Sequence, residues 1–171
     1  MAANIEIREA KASDARALNA YIKEIYGTSD HLITRQSEFR TGSFKQRFWI
    51  SKKALHPSET CLLALRDGKI IGMLDSWTDM RARVKHSTSF AMSVKQGHRG
   101  NGIGKAILNH FILWVKKHET LERIELHVHS DNVAAQQLYK NLGFELEGTR
   151  HKVLRYEDGR VIDDHIMALW P

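Results

Sequence analysis

The chain has 171 residues, 42% hydrophobic and 27% charged, a globular composition long enough for one well-buried core. Its 26 Lys+Arg against 20 Asp+Glu give a formal charge of +6. No run of five or more like charges concentrates it, and no zinc-finger spacing or RNP-like aromatic segment accompanies it, so the charge argues for no nucleic-acid partner.

One cysteine, Cys61, excludes an internal disulfide and suits a reducing compartment. Met1–Lys11 has no apolar signal-like core. The longest aliphatic or aromatic run, Phe111–Val115, is far too short to cross a bilayer. The expectation is a cytoplasmic protein with no membrane partner. Residues 1–171 carry no linker or repeat and read as a single domain.

In chain order, Ile5 and Ile7 alternate around Glu6 as a short strand. Ser13-Asp14 offers an N-cap for a helix whose face is Leu18, Tyr21, Ile22 and Ile25, ending near Gly27. Residues 28–58 scatter Phe39, Phe44, Phe48 and Trp49 among charges; a helix over 44–55 fits before Pro57. Cys61–Leu65 and Ile70–Trp77 pair across an Asp67-Gly68 turn, and 81–85 leads into a strand over 86–94.

Ile103, Ile107, Phe111 and Trp114 then form one stripe of a helix, widened by Leu108, Ile112 and Val115. A strand over 124–128 precedes a helix from Val133 to Leu142, capped by Asp131-Asn132 and stopped by Gly143. Residues 144–147, 153–156 and 161–169 are strand-like, with Asp158-Gly159 as a turn. The order β-α-α-β-β-β-α-β-α-β-β predicts a mixed α/β sheet with helices on its faces.

The segment between the strand at 86–94 and the helix at 103 carries the chemistry. Glycines at 100, 102 and 104 permit positive φ and close approach of a ligand to the backbone. Their N–H groups converge at a helix N-terminus, which favours an anion, and Arg99 and Lys105 add positive charge. The P-loop pattern fails, because Arg99 stands where its first glycine belongs and Ala106 follows Lys105. The dinucleotide pattern GxGxxG fails too, since Lys105 occupies its third glycine position.

What fits is Arg-x-x-Gly-x-Gly, Arg99-Gly100-Asn101-Gly102-Ile103-Gly104. It resembles the acetyl-CoA pyrophosphate loop of the GNAT N-acetyltransferase superfamily. A helix and a strand further on, Asn132-Val133-Ala134-Ala135 through Tyr139 to Gly143-Phe144 resembles the same family's Asn-x-x-Ala-x-x-x-Tyr-x-x-x-Gly-Phe segment. The likeness covers about residues 60–168. Its ending, Tyr156 to Ala168 with Gly148-Thr149-Arg150 before it, is similar to the phosphinothricin and ribosomal-protein acetyltransferase branches.

The resemblance implies a seven-stranded, mostly antiparallel mixed sheet with helices on both faces and splayed fourth and fifth strands. It implies acetyl-CoA as co-substrate and direct transfer to a primary amine, of a small molecule or amino acid or of a protein N-terminus. Arg99, Gly100, Asn101, Gly102, Ile103, Gly104 and Lys105 would hold the pyrophosphate. Met92, Ser93 and Val94 would pair with the pantetheine arm, with the Met92 N–H on the thioester carbonyl. Asn132 would cap its helix and reach the pantetheine amide, and Tyr139 would protonate the departing thiolate.

For the base, His86 at the head of the fourth strand is the first candidate, with Asp75, Glu24, Asp163 and Asp164 behind it. His127-x-His129 puts two imidazoles on one strand face, but with no third ligand nearby no metal is expected. A homodimer is compatible with the family pattern. The rival reading is a non-catalytic acyl-CoA-binding or regulatory module that kept the loop.

Overall fold

The computed structural model describes residues 5–171; the first four residues of the N-terminal segment considered above lie outside them. The strands are β1 (Ile5–Glu9), β2 (Cys61–Arg66), β3 (Lys69–Thr78), β4 (Ser87–Val94), β5 (Arg123–His129), β6 (Glu145–Arg155) and β7 (Val161–Leu169). The helices are α1 (Ala15–Thr28), α2 (Ser43–Leu55), α3 (Ile103–Lys116) and α4 (Val133–Asn141). All seven strands join one sheet in the order β1-β2-β3-β4-β5-β7-β6. Among the described residues only β4 and β5 pair in parallel; the other neighbours are antiparallel. Among the described residues no helix is long and apolar enough to cross a membrane.

Two cores lie on opposite faces of this sheet. α3 buries Ile103, Ile107, Leu108, Phe111, Ile112 and Val115 against Leu62, Leu74, Phe90, Ile124, Leu126 and Val128. That is nearly the whole circumference of the helix, as its uninterrupted apolar sequence requires. On the other face α1 and α2 set Leu18, Tyr21, Ile25 and Ile50 on Cys61, Leu63, Leu65 and Ile70. β2 is buried along both faces, which accounts for its unbroken apolar run. Burial also pushes the Cys61 thiol up, leaving it protonated and inert.

Three local expectations are corrected. The strand-like runs 144–147 and 153–156 belong to one strand, β6, whose register shifts between Arg150 and Leu154. Lys152 takes φ 56 there, an irregularity that the polar stretch 149–152 hides in the sequence. Asp14 makes no side-chain cap of α1. Its carboxylate turns back instead to the Lys11 N–H at 2.7 Å and to the Arg8 guanidinium at 2.7 and 3.0 Å. His86 stands just ahead of β4 rather than in it.

A buried ion cluster supports the α2 side. Lys53 Nζ lies 2.8 Å from Glu59 and 2.9 Å from Asp75, and donates to the Ser76 carbonyl. Burial pushes the Asp75 carboxyl up to about 6, against the pull of Lys53.

Candidate acetyl-CoA and acceptor site

The glycine segment folds as a tight passage from β4 to α3. A 3-10 turn at Gln96–His98 leads to Gly100 at φ 76 and then to Gly102 at φ 75, the residue before the first turn of α3. An L-residue in that left-handed region is strained, so the backbone favours glycine at both positions. A Cβ at either position meets nothing within 4 Å, so the surface above the loop is open to a ligand. Asn101 Nδ2 braces the turn by donating to the carbonyls of His98 and Arg99 at 3.4 and 3.2 Å. Arg99 Nε donates to the Val94 carbonyl at 2.9 Å, fixing the guanidinium beside the end of β4, and Lys105 is exposed on the first turn.

Gly104 has a different task. A Cβ there would stand 3.3 Å from both Met92 Cε and Leu138 Cδ2. The absence of a side chain lets α3 start hard against β4 and α4.

Below the loop the sheet opens. β4 and β5 pair only through Ser87–Arg123, Thr88–Ile124 and Ser89–Glu125. From Phe90 to Val94, β4 keeps β3 on one edge, while β5 continues along β7. The result is a wedge with its apex at Ser89 and its mouth at the glycine loop. Met92, Ser93 and Val94, all partly exposed, line the mouth on β4. The Tyr21 hydroxyl of α1 lies 3.0 Å from both the carbonyl oxygen and Oγ of Ser93.

α4 closes one side of the wedge. Its cap is Asn132, whose Oδ1 accepts from the Ala135 N–H at 3.2 Å, so the capping half of that expectation is met. Tyr139 is 7% exposed, its ring edge-on to Phe90 at 6.0 Å and tilted on Phe144 at 5.8 Å. Burial raises its phenol to about 12. The structure thus joins the start of α3, the end of β4 and α4 through Gly104, Met92 and Leu138, with Tyr139 against Phe90 and Asn132 at the head of α4.

His86 is not part of it. It stacks on Trp170 with centroids 6.1 Å apart, on a groove of about 520 Å³ with Trp77, Arg123 and Glu125. From 86 to 92 the strand rises roughly 20 Å, and the groove is at the apex end of the wedge. Glu24 pairs with Lys95 at 2.8 Å on the surface, and Asp75 is engaged by Lys53. Asp163 receives the Lys152 N–H at 2.8 Å and lies 3.0 Å from His151; the backbone N–H first and then the imidazole hold its carboxyl below the usual range.

The polar equipment lies on the wedge face away from α3. Ile124, Leu126 and Val128 point into the α3 core, so Glu125, His127 and His129 point the other way. His127 Nδ1 lies 2.8 Å from Asp164 Oδ2, a carboxylate on β7 that is 2% exposed. Arg150 Nε of β6 donates to the same oxygen at 3.1 Å. His129 Nδ1 is 3.1 Å from the Tyr156 hydroxyl, which in turn reaches Asp131 at 3.2 Å. His31, from the α1–α2 connection, stacks on the His129 ring at 6.1 Å. Burial, then the neighbouring His31, lowers the pKa of His129, while burial and Asp131 push Tyr156 up to about 12.

The sequence reading set the His127/His129 pair aside as a weak metal motif. Among the described residues there is no cluster of three or more metal-ligand side chains. The signal that was present is alternation: two imidazoles on one face of an otherwise apolar strand, just before the Asn132 cap.

Comparison with known proteins agrees with this geometry. The family model described as Acetyltransferase (GNAT) family matches residues 20–144. The L-amino acid N-acetyltransferase AaaT of Escherichia coli (strain K12) is 32% identical over 120 residues, 70% of this chain and 74% of that protein. The crystal structure of a GNAT-family acetyltransferase from Streptococcus pneumoniae superposes with a TM-score of 0.95 at 28% identity, over 98% of this chain and 100% of that one. yncA from Salmonella typhimurium, solved with its cofactor acetyl-CoA, shares the fold at 18% identity with a TM-score of 0.84, over 97% and 93% of the two chains. With its glycine loop, its splayed parallel pair and this match across most of its length, the chain belongs to the GNAT family of acetyl-CoA-dependent N-acetyltransferases.

Proposed function

We propose that the chain, acting as a single catalytic domain, transfers the acetyl group of acetyl-CoA to the amino group of a free L-amino acid by direct attack on the thioester. The observation that carries the reading is the wedge: a strand edge from Phe90 to Val94 without a strand partner, running directly into a helix N-terminus with left-handed glycines. An extended pantetheine arm can add to such an edge as a strand would. The pyrophosphate then falls on Arg99–Lys105, where backbone N–H groups, the helix dipole and two cationic side chains meet. The amino-acid acceptor is supported by the named activity of the E. coli relative.

The chemistry divides as follows. The Met92 N–H polarises the thioester carbonyl, and Asn132 holds the pantetheine amide with the part of its carboxamide that the cap leaves over. The neutral amine attacks the carbonyl carbon, the tetrahedral adduct collapses, and the C–S bond breaks with the electron pair leaving on sulfur. Tyr139 gives that sulfur its proton and is reprotonated by the proton that the attacking nitrogen sheds in becoming an amide. With its phenol near 12, Tyr139 keeps the proton throughout the neutral range until thiolate forms beside it.

Thiol release from acetyl-CoA, measured against amino acids, polyamines and N-terminal peptides, tests the assignment. A strong preference for free L-amino acids is expected. Turnover confined to peptides or polyamines would overturn the acceptor class. Acetyl-CoA binding without turnover on any amine would return the reading to a binding module.

A further inference from the structure

We propose that His127 is the general base of this site, taking the proton from the acceptor's ammonium through Nε2, with Asp164 as its positioning residue. The inference rests on the acetyltransferase reading above.

Three observations carry it. The first is register. The last β4–β5 pair is Ser89–Glu125, so two residues further along the parallel strands Ala91 and His127 stand level across the wedge. Both project to the face away from α3, one residue before Met92 on β4. An amine approaching a thioester at Met92 from that face passes His127.

The second is orientation. An ionised carboxylate only accepts, so the 2.8 Å contact to Asp164 puts the proton of neutral His127 on Nδ1 and the lone pair on Nε2. Asp164 is buried and doubly bound by Arg150, so the ring is held from a fixed point. The His127 side chain is 40% exposed, which leaves the ring accessible to a substrate.

The third is the electrostatic setting. Glu125 Oε1 stands 3.5 Å from His127 Nε2, a carboxylate beside the nitrogen that takes the proton. Arg123, 2.8 Å from Glu125, and Arg150 on Asp164 keep the two carboxylates from overcharging the site. Among the described residues these four are the charged groups in the ion-pair network around His127, from its own strand, β6 and β7.

His129 has a different setting. It is 7% exposed, bonded to Tyr156 and stacked on His31, as a packing group would be. In the step itself one N–H bond of the ammonium breaks, its proton moves to Nε2, and the freed lone pair attacks the thioester. The imidazolium returns that proton to water, and the second proton, shed by the nitrogen as it becomes an amide, restores the Tyr139 phenol.

The test compares wild type with His127→Ala, His127→Gln and Asp164→Asn. His127→Ala should lower kcat/KM for the acceptor about 100-fold or more, leave acetyl-CoA affinity within about twofold, and erase the acidic limb of the pH profile. Added imidazole should restore part of the lost turnover. His86→Ala should behave as wild type. A loss under about threefold, an unchanged acidic limb, or a loss imidazole does not touch overturns the base assignment.

A readout independent of turnover separates this from failure of the acetyltransferase reading. Nitrogen NMR should find neutral His127 as the Nδ1–H tautomer in wild type and lose that preference in Asp164→Asn. An Nε2–H tautomer in wild type overturns the proposal whatever the enzyme's activity. Wild-type protein releasing no thiol with any amine overturns the functional reading instead.

Discussion

The two faces of the sheet around β4 and β5 are built on opposite plans. Towards α3 and α4 the strands present Phe90, Ile124, Leu126 and Val128 to a continuous apolar core. On the other face α1 and α2 pack over β2 and β3, and the same two strands carry Ser93, Glu125, His127 and His129. The first face fixes backbone: the strand edge, the helix terminus and the glycine turns, which together can hold a ligand without a specific side chain. The second face offers side chains on elements from four parts of the chain. A fold can keep the first face constant while the second changes acceptor.

That contrast can be broken most severely at Gly102. Gly102→Val places a branched side chain at φ 75, over the surface where pyrophosphate would sit. Calorimetric titration should show acetyl-CoA affinity reduced by at least about 100-fold while the circular dichroism stays native, with strain costing roughly 1–2 kcal/mol of stability. Retained affinity would sink the loop assignment.

Lys53→Met acts on the opposite face and should have the opposite profile. It leaves Asp75 and Glu59 without their shared cation, so chemical denaturation should find a loss of about 3 kcal/mol. Acetyl-CoA affinity of the folded fraction should not change. Loss of both together would mean that the two faces are coupled.

Tyr139→Phe sharpens the division inside the cofactor side itself. The ring packing on Phe90 and Phe144 is kept and only the hydroxyl goes. Turnover should fall about 10- to 100-fold with acetyl-CoA affinity within about twofold. A fall in affinity alone would make Tyr139 a packing residue.

The smallest effect concerns Asp75. Burial raises its carboxyl from 3.8 to about 6, so the folded protein holds that proton more tightly than the unfolded chain. The stability this gives is complete below pH 3.8 and lost as pH rises through about 6. Asp75→Asn should flatten the fall between those values in unfolding measured against pH. A steeper fall in the variant would reverse the sign assigned to burial.

Legibility in the sequence follows the same contrast. The glycine turn and the Asn132–Phe144 segment could be read because their demands are local: positive φ at a fixed offset, a cap, a helix stop. Most strands and three of the four helices were readable from periodicity for the same reason, whereas α2 was placed only by the Pro57 that follows it and β6 read as two separate runs. The His127–Asp164–Arg150 cluster was not, since β5, β6 and β7 meet only through the sheet's register. The bulge in β6 was hidden because a non-glycine residue, Lys152, takes its positive φ. His86 erred in distance along the strand: the glycine loop follows the other end of β4.

The wedge also bears on solubility. Parting two strands creates unpaired edges inside a sheet, the kind of surface on which foreign strands can assemble. Here the edge from Phe90 to Val94 ends at Ser89 in a closed corner and at Lys95 in a charge. β5 parts from it beyond Ser89, leaving room at the mouth for a single flexible arm. An edge closed at one end and charged at the other is a guarded edge in the sense that exposed strands require.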